Sequence, residues 1–248
     1  MRTFGLIGFP LTHSFSLNFF RNKFQQEHIT DAEYLNFPIE KIEDVLQIFE
    51  NKNLHGLNVT IPYKQSIIPF LDELDSFASE VGAVNTVLLI NGKKIGFNTD
   101  IYGFEKSLVS FSGLDFKSRL KNYKALILGT GGSSKAVLYV LKKLGIGFQF
   151  VSRTKNKNTI TYSDLKPQTI LEYKLIINTS PIGMFPDTAA VPEIPYSFIT
   201  SQHLLFDLIY NPEETEFLKR GKQQGAKTKN GLQMLQLQAE KSWEIWNS

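Results

Sequence analysis

The chain has 248 residues, with 27 basic and 24 acidic side chains, a formal net charge of +3 and no cysteine. Its 42% of apolar and 21% of charged residues are typical of a folded globular protein and exclude a disordered chain. The weak, evenly spread charge gives no support to a nucleic-acid or membrane-binding protein, and the missing cysteines exclude disulfides and thiolate chemistry.

Strand and helix patterns alternate along the whole chain, which predicts βαβ units and an α/β fold with parallel strands. The expected strands lie at 3–8, 33–37, 55–60, 82–90, 93–97, 124–129, 147–151, 175–178 and 204–208. The expected helices lie at 17–28, 42–51, 71–79, 100–110, 135–144, 213–223 and 232–246. Between two of the strands, Asn91-Gly92 predicts a two-residue hairpin turn.

The N-terminal sequence MRTFGLIGFP reads as the first strand rather than a signal peptide, so we expect a cytoplasmic protein. Ser14 and Ser16 follow this strand and place two hydroxyls at its carboxyl end, where open α/β sheets bind ligands. Capping of the next helix would also explain them. The four histidines lack the spacing of metal ligands, and we predict no metal site.

The sequence GLNVTIPYK at 56–64 combines several kinds of chemistry in one short stretch. Its alternating apolar residues predict the end of a strand, which Pro62 terminates because proline has no donor for the sheet. Asn58, Thr60 and Lys64 then bring together an amide, a hydroxyl and an ammonium, which suits a small ligand rich in hydroxyl and carboxylate groups. The alternative is an ordinary strand followed by an exposed lysine.

Two further polar residues stand next to expected elements of the first half. Asn85 lies in the run GAVNTVLLI, and Asp100 opens the helix expected at 100–110. Asn85 could be a simple turn residue, and Asp100 could serve only as a favourable charge at a helix N-terminus.

A glycine loop between a strand and a helix predicts dinucleotide binding in the second half. The loop residues are Gly129, Thr130, Gly131, Gly132 and Ser133. Gly129 permits the tight turn, Gly131 lets the backbone approach a pyrophosphate, and the helix N-terminus offers free N–H donors. The third position of the usual fingerprint is Ser134 rather than glycine or alanine. The loop lacks the Gly-Lys-Ser/Thr ending of the P-loop that binds nucleoside triphosphates.

The strand after this helix lacks the acidic residue that binds a ribose 2′-hydroxyl in NAD-binding folds. Ser152, Arg153, Thr154 and Lys157 offer hydroxyls and cations there instead, which suits a 2′-phosphate and therefore NADP(H). An exposed basic loop is the alternative. For the last helix, core packing is the default interpretation, with Gln238 to one side of its apolar face.

These pieces, in this order, resemble the NADP-dependent shikimate dehydrogenase family over essentially the whole chain. The motifs that carry the resemblance are SFS at 14–16, NVTIPYK at 58–64, GAVNT at 82–86, NTD at 98–100, GTGGSSKA at 129–136, SRT at 152–154, NTSPIGM at 178–184, and IYNPEET followed by NGLQML near the C-terminus.

The resemblance implies which side chains bind substrate and cofactor. The implied substrate residues are Ser14, Ser16, Asn58, Thr60, Lys64, Asn85, Asp100, Tyr210 and Gln238. Leu208 and Gly231 join the glycine loop and Ser152, Arg153, Thr154 and Lys157 as implied cofactor residues. Two departures concern the cofactor: Ser152 replaces the usual asparagine, and Leu208 stands where methionine is common near the nicotinamide.

The expected architecture is α/β, with an N-terminal three-layer α/β/α substrate domain and a Rossmann-like doubly wound dinucleotide-binding domain. The expected boundaries are 1–100 for the substrate and catalytic domain, completed by the C-terminal helix at 229–248, and 101–228 for the NADP-binding domain. The return of the C-terminal helix to the first domain is implied by the resemblance. The sequence leaves open a monomer or a homodimer.

The implied reaction is the reversible reduction of 3-dehydroshikimate to shikimate with NADPH, a step of aromatic amino-acid biosynthesis. Reducing a ketone requires a hydride at carbon and a proton at oxygen. In the expected substrate cluster, Lys64 is the side chain suited to give the proton, with Asp100 as its partner. Whether Lys64 alone or both residues carry the proton stays open.

Two alternatives to this function remain. A quinate/shikimate dehydrogenase that prefers NAD would be favoured by an acidic residue at position 152 or 153, and neither position has one. A catalytically inactive dinucleotide-binding regulator would be favoured by loss of Lys64 or Asp100, and both are present.

Overall fold

The computed structural model describes residues 1–11, 15–112 and 123–248. These residues divide into two units, Met1–Tyr102 with Gln236–Ser248, and Gly103–Leu235. The chain therefore passes twice between the units, once in each direction. No helix in the three described ranges is long and apolar enough to cross a membrane.

The first unit contains a six-stranded sheet with helices on both sides. Its strands are β1 (Arg2–Gly8), β2 (Ala32–Pro38), β3 (Leu54–Val59), β4 (Glu73–Leu74), β5 (Thr86–Ile90) and β6 (Lys93–Phe97). Its helices are α1 (Phe15–Gln26), α2 (Val45–Phe49) and α3 (Ser76–Val81), and α4 (Asp100–Ser112) begins in this unit and continues into the other.

The strand order of this sheet is β2-β1-β3-β5-β6-β4, and β1 runs parallel to both β2 and β3. The expected parallel strands are present, but the sheet is mixed, because β5 runs antiparallel to β3 and to β6. The antiparallel pairing of β5 with β6 comes from the predicted hairpin, which is confirmed: Asn91 and Gly92 have φ of 51° and 75°, the left-handed values that such a turn requires.

Alternating residues of β1 build a core on each face of this sheet, which confirms the three-layer arrangement. Phe4 lies in one cluster with Phe20 of α1 and Trp246 near the C-terminus. Ile7 points to the opposite face and packs in a second cluster that includes Leu57.

The helix expected at 71–79 is wrong in its first half. Glu73 and Leu74 form β4, which pairs with Ile95 and Gly96 of β6. Asp75 then starts α3 by accepting a hydrogen bond from the Ala78 amide at 2.8 Å. This cap moves the helix start past the strand, and a two-residue strand is too short to leave a periodic signal.

The second unit contains a six-stranded parallel sheet. Its strands are β7 (Lys124–Leu128), β8 (Gly147–Ser152), β9 (Thr159–Thr161), β10 (Leu175–Asn178), β11 (Leu204–Asp207) and β12 (Lys227–Lys229). Its helices are α5 (Gly132–Lys143), α6 (Pro167–Glu172) and α7 (Glu216–Gln223), and α8 (Leu232–Trp246) begins here and ends in the first unit.

The order of the second sheet is β12-β11-β10-β7-β8-β9. Counted from β7 in chain order, this is the 3-2-1-4-5-6 order of doubly wound dinucleotide-binding folds, so the predicted Rossmann-like architecture is confirmed. The short elements β9, β12 and α6 were not predicted, because three to six residues carry too little periodicity. Every residue of β10 is buried, as expected for a central strand covered on both faces.

The C-terminal helix closes one face of the first unit, and a glycine makes its close approach possible. The Trp246 Nε1–H donates to the Val87 carbonyl at 2.9 Å. A Cβ atom at Gly56 would overlap the indole ring of Trp246. Gly56 on β3 therefore sets how closely α8 packs on the sheet.

We predict that Gly56→Ala lowers the free energy of unfolding by about 1–3 kcal/mol, the usual cost of overpacking a core. Gly147→Ala is the matched control, because a Cβ there meets only Lys124 Cγ at 3.6 Å. Urea unfolding followed by circular dichroism measures both variants. Equal stability of the two variants would show that Gly56 does not limit the packing of α8.

Candidate active site

Lys64 is held by the backbone of the segment that follows β3. The Thr60 amide donates to the Ile7 carbonyl at 2.9 Å, which joins the ends of β3 and β1. The Val84 amide donates to the Lys64 carbonyl at 2.7 Å, which ties the lysine to the segment before β5. The Lys64 backbone is therefore bound directly to Val84, and the segment that carries it is bound at Thr60, which lies half-buried beside the ends of two strands.

The Lys64 ammonium forms an ion pair with Asp100, the first residue of α4. Nζ lies 2.6 Å from Oδ2, and the two side chains are 13% and 8% exposed. The Asn85 Nδ2 donates to the other carboxylate oxygen, Oδ1, at 3.0 Å. Both oxygens of Asp100 thus have a donor, which offsets part of the cost of removing the charges from water. The carboxylate also stands at a helix N-terminus, so the two interpretations of Asp100 are compatible.

Asn85 connects this pair to the C-terminal helix. Its Oδ1 accepts from the Thr99 amide at 2.7 Å, which fixes the orientation of the side-chain amide. Its Nδ2 also lies 3.2 Å from Gln238 Oε1. The helix α8 therefore does more than pack on the core, because it carries a buried glutamine into the polar cluster around Lys64 and Asp100.

Asn58 makes hydrogen bonds into the interior of the unit. Its Oδ1 accepts from the Tyr34 hydroxyl at 2.8 Å, and its Nδ2 donates to Ser242 Oγ at 3.0 Å. Ser16 is buried and hydrogen-bonds to Tyr34, while burial raises the pKa of that tyrosine well above its usual range. Ser14 lies outside the described residues.

Sequence reasoning missed four side chains that support this cluster: Tyr34, Thr86, Thr99 and Ser242. Thr86 Oγ1 lies 2.8 Å from Ser242 Oγ, and Ser242 donates to the Gln238 carbonyl at 2.9 Å. Thr86 and Thr99 stand inside the motifs GAVNT and NTD, which gave a signal for them. Tyr34 and Ser242 lie in an ordinary strand and helix, where nothing in the pattern distinguishes them from core residues.

In the second unit, the glycine loop lies between β7 and α5, at the point where the sheet order reverses. Gly129 has a φ of +108°, and a Cβ there would lie 3.1 Å from Thr179 Oγ1. Gly131 precedes α5, and a Cβ at that position would meet no atom within 4 Å. The space above Gly131 and the N–H groups of the first helical turn fit a pyrophosphate.

Ser134, the departure from the usual fingerprint, fits the loop without disturbing it. It is 1% exposed, and its hydroxyl donates to the Gly131 carbonyl at 2.6 Å. The serine therefore holds the loop from within the unit and leaves the outer side of Gly131, Gly132 and Ser133 open.

The segment after β8 presents unpaired cations to solvent. Arg153, Thr154 and Lys157 are exposed, and Arg153 and Lys157 form no ion pair with any carboxylate of the described residues. Lys155, by contrast, lies 3.4 Å from Asp164 Oδ2. Ser152 Oγ accepts a long hydrogen bond of 3.4 Å from the Thr154 amide. Charge and geometry of Arg153 therefore fit a phosphate ligand.

Leu208 and Gly231, which come from distant parts of the chain, lie next to each other. The Gly231 amide donates to the Ile209 carbonyl at 2.9 Å, and a Cβ at Gly231 would overlap the Leu208 backbone. Tyr210 lies on the same segment after β11 and is half-buried, which raises the pKa of its hydroxyl. Within residues 1–11, 15–112 and 123–248, no cluster of His, Asp or Glu could hold a metal ion.

Comparisons with known proteins identify relatives of this chain. A family model described as the shikimate dehydrogenase substrate binding domain matches residues 6–87. The shikimate dehydrogenase (NADP(+)) of Methanococcus maripaludis is 40% identical over 98% of this chain and 90% of its own length. That of Desulforamulus reducens is 37% identical over 98% of this chain and 88% of its own.

A solved structure extends the likeness to both units. The shikimate 5-dehydrogenase of Thermus thermophilus, determined in complex with NADP(H) and shikimate, is 27% identical, with a TM-score of 0.86 over 99% of this chain and 93% of that one. The identity to the curated relatives over nearly the full length, together with the shared fold, shows that this chain belongs to the shikimate dehydrogenase family.

Proposed function

We propose that the protein is an NADP-dependent shikimate dehydrogenase that reversibly reduces 3-dehydroshikimate to shikimate with NADPH, in the biosynthesis of aromatic amino acids. The observation that carries this proposal is the buried pair of Lys64 and Asp100, held 2.6 Å apart in a polar cluster of a chain that belongs to this family. The relatives are named for NADP, and the Thermus thermophilus enzyme was solved with NADP(H) and shikimate.

Substrate binding in this proposal uses the polar side chains that surround the pair. The proposed substrate residues are Ser14, Ser16, Asn58, Thr60, Lys64, Asn85, Asp100, Tyr210 and Gln238. Hydroxyls, amides and an ammonium together match a ring that carries hydroxyl and carboxylate groups. We assign this role to residues 1–100 with 229–248, and NADP binding to residues 101–228; Tyr210 for the substrate and Gly231 for the cofactor are the two exceptions to this division. The division of the chain into two units supports that assignment.

Proton transfer falls to Lys64. When bound, NADPH supplies the hydride that reduces the carbonyl carbon. Lys64 gives the proton from Nζ to the substrate oxygen, and it takes the proton back when shikimate is oxidised. Asp100 Oδ2 holds the ammonium in place, and Asn85 fixes Asp100 in turn. Because the lysine side chain is 13% exposed, its proton can be replaced from solvent.

Cofactor binding uses the backbone of the glycine loop and the cations after β8. Gly129, Thr130, Gly131, Gly132 and Ser133 would cradle the pyrophosphate, with Leu208 and Gly231 at the neighbouring segments. Ser152, Arg153, Thr154 and Lys157 would bind the 2′-phosphate, because paired guanidinium donors match phosphate oxygens.

The sequence-based expectations of a cytoplasmic location and of a monomer or homodimer stay predictions. Light scattering on the purified protein measures the oligomeric state.

The experiment that tests the function is an assay of the purified protein with shikimate and quinate, each with NADP⁺ and with NAD⁺. We expect shikimate with NADP⁺ to give the highest kcat/KM. Turnover that is equal or faster with quinate and NAD⁺ would favour the quinate/shikimate dehydrogenase alternative. Binding of NADP⁺ without turnover of any substrate would favour the inactive regulator.

We predict that Lys64→Ala lowers kcat by roughly 10²–10⁴-fold, the usual contribution of a positioned acid–base group. Lys23→Ala is the matched control, because Lys23 is a comparably buried lysine of the same unit, 10% exposed and paired with Glu240 at 2.7 Å. Steady-state kinetics compares the two variants. A Lys64→Ala enzyme with near-normal kcat would remove this lysine from the mechanism.

We predict that Arg153→Ala lowers the preference for NADP⁺ over NAD⁺ by roughly ten- to a hundredfold, because a hydrogen bond to a charged group contributes about 1.5–3 kcal/mol. Lys155→Ala is the control from the same segment, since Lys155 already pairs with Asp164. The measurement is the ratio of kcat/KM for the two cofactors. An unchanged ratio in Arg153→Ala, or equal use of both cofactors by the wild type, would refute the assignment of the 2′-phosphate to this segment.

A further inference from the structure

Asp207 is a buried carboxylate that the proposed mechanism does not use. It ends β11, beside Asn178 at the end of β10, and is 0% exposed. No lysine, arginine or histidine in the described part of the chain forms an ion pair with it. An unpaired buried charge is costly, so its retention requires donors that replace water.

Three donors surround the Asp207 carboxylate. The Thr215 hydroxyl donates to Oδ2 at 2.6 Å, and both Asn178 Nδ2 and the Ile209 amide donate to Oδ1 at 3.0 Å. Thr215 is also the N-terminal cap of α7, where it accepts from the Leu218 amide at 3.4 Å. The positive end of that helix dipole further favours a negative charge nearby. These donors favour the ionised form, whereas burial of the carboxylate opposes it.

Through Asn178, the carboxylate fixes the segment that follows β10. Asn178 Oδ1 accepts from the Ser180 amide at 3.1 Å and from the Ser180 hydroxyl at 2.7 Å. Because Asn178 Nδ2 is bound to Asp207, the side-chain amide cannot rotate without losing these bonds. The same segment contains Thr179, which lies against Gly129 of the glycine loop.

Through Ile209, the carboxylate fixes the segment that follows β11. The Ile209 amide is bound to Asp207, and the Ile209 carbonyl accepts from the Gly231 amide at 2.9 Å. The Leu208 amide donates to the Asn178 carbonyl at 3.0 Å, which joins the two segments directly. Leu208 and Gly231 therefore lie within two contacts of a single carboxylate, and the glycine loop lies one contact further away.

We infer that Asp207 is a positioning residue for the cofactor: its carboxylate locks the segments after β10 and β11 in the arrangement that binds NADP(H). The inference rests on the proposed function, because it assumes that these segments contact the dinucleotide. Because Asp207 is fully buried, we place its action on these segments and not on direct contact with a ligand.

Burial raises the pKa of Asp207 to about 7. A titratable neighbour that senses its charge is Tyr196, whose own pKa is raised by burial, so that this tyrosine stays neutral from pH 5 to 9. The ionised carboxylate accepts stronger hydrogen bonds from Asn178 and Ile209 than the neutral acid does, because charge-assisted hydrogen bonds are stronger than neutral ones. The segments are therefore fixed most firmly above pH 7.

Ionisation of Asp207 is expected to have opposite effects on the stability of the fold and on cofactor binding. The pKa of Asp207 is higher in the folded protein than in the unfolded chain, so its contribution to stability is fully present below about pH 4 and is lost as the pH rises through about 7. Ionisation thus costs stability while it orders the cofactor segments.

The test uses Asp207→Asn, which keeps the shape but puts an NH₂ donor where one oxygen accepts. Two readouts apply: the Kd for NADP⁺ by calorimetry, and hydrogen exchange of the Ser180 and Ile209 amides in the ligand-free protein. We expect the Kd to rise about tenfold at pH 8, equivalent to about 1.4 kcal/mol. We also expect both amides to exchange faster, and the Kd ratio of variant to wild type to shrink towards pH 5.5.

His203→Gln is the matched control, because His203 directly precedes β11, at the end of the strand opposite to Asp207. It is fully buried and makes hydrogen bonds of 2.9 Å with the Ile170 carbonyl and the Thr200 amide. This variant should lose stability while its Kd for NADP⁺ changes less than twofold. If Asp207→Asn fails to fold, Thr215→Val replaces it, because this variant removes one hydrogen-bond donor to Asp207 and should also raise the Kd for NADP⁺. Thr215→Ser keeps the hydroxyl and should leave the Kd near the wild-type value.

The outcomes separate this inference from the proposed function. An Asp207→Asn protein with a Kd within twofold of wild type and unchanged amide exchange overturns the positioning role, whatever the activity. A wild type that binds no NADP⁺ overturns both proposals. A wild type that binds NADP⁺ but turns over no substrate overturns the proposed activity alone, and the binding and exchange measurements still decide the role of Asp207.

Discussion

The ion pair between Lys64 and Asp100 is the constraint on which the first unit depends. Two charges with side chains 13% and 8% exposed need partners for their remaining donors and acceptors. The Asn85 side chain donates to Asp100, and the Thr99 backbone amide fixes the orientation of Asn85. The helix α8 brings Gln238 to the Asn85 side-chain amide. The return of the chain to this unit at its C-terminus thus completes a polar shell that residues 1–102 do not complete alone.

The second unit differs from the first because its glycine loop offers a dinucleotide mainly backbone groups and few side chains. Gly129 and Gly131 have no side chain to block a ligand, and the helix N-terminus provides N–H groups and a favourable dipole. Such a site has few side chains to fix its shape, so the neighbouring segments must be rigid for other reasons. Asp207 provides that rigidity in our account, at a cost in stability that a neutral residue would avoid.

How much of this was predictable depended on whether a feature has a local cause. The hairpin at Asn91-Gly92 and the strand–glycine loop–helix at 124–143 are encoded within a few residues, and the structure has both. The strand β4 was missed because its pairing with β6 is not visible in two residues. Tyr34 and Ser242 were missed because their importance comes from reaching Asn58 across 24 and 184 positions of the chain. A pattern in one sequence records periodicity, not contacts of this kind.

The most direct test of the central claim is a double-mutant cycle on kcat/KM with Lys64→Ala, Asp100→Asn and the double variant. If Asp100 acts by holding Lys64 in place for proton transfer, the two effects are strongly non-additive, and the double variant is at most about threefold slower than Lys64→Ala alone. If the two effects instead multiply, so that the double variant is slower by the product of both, Lys64 and Asp100 act independently and the account is contradicted.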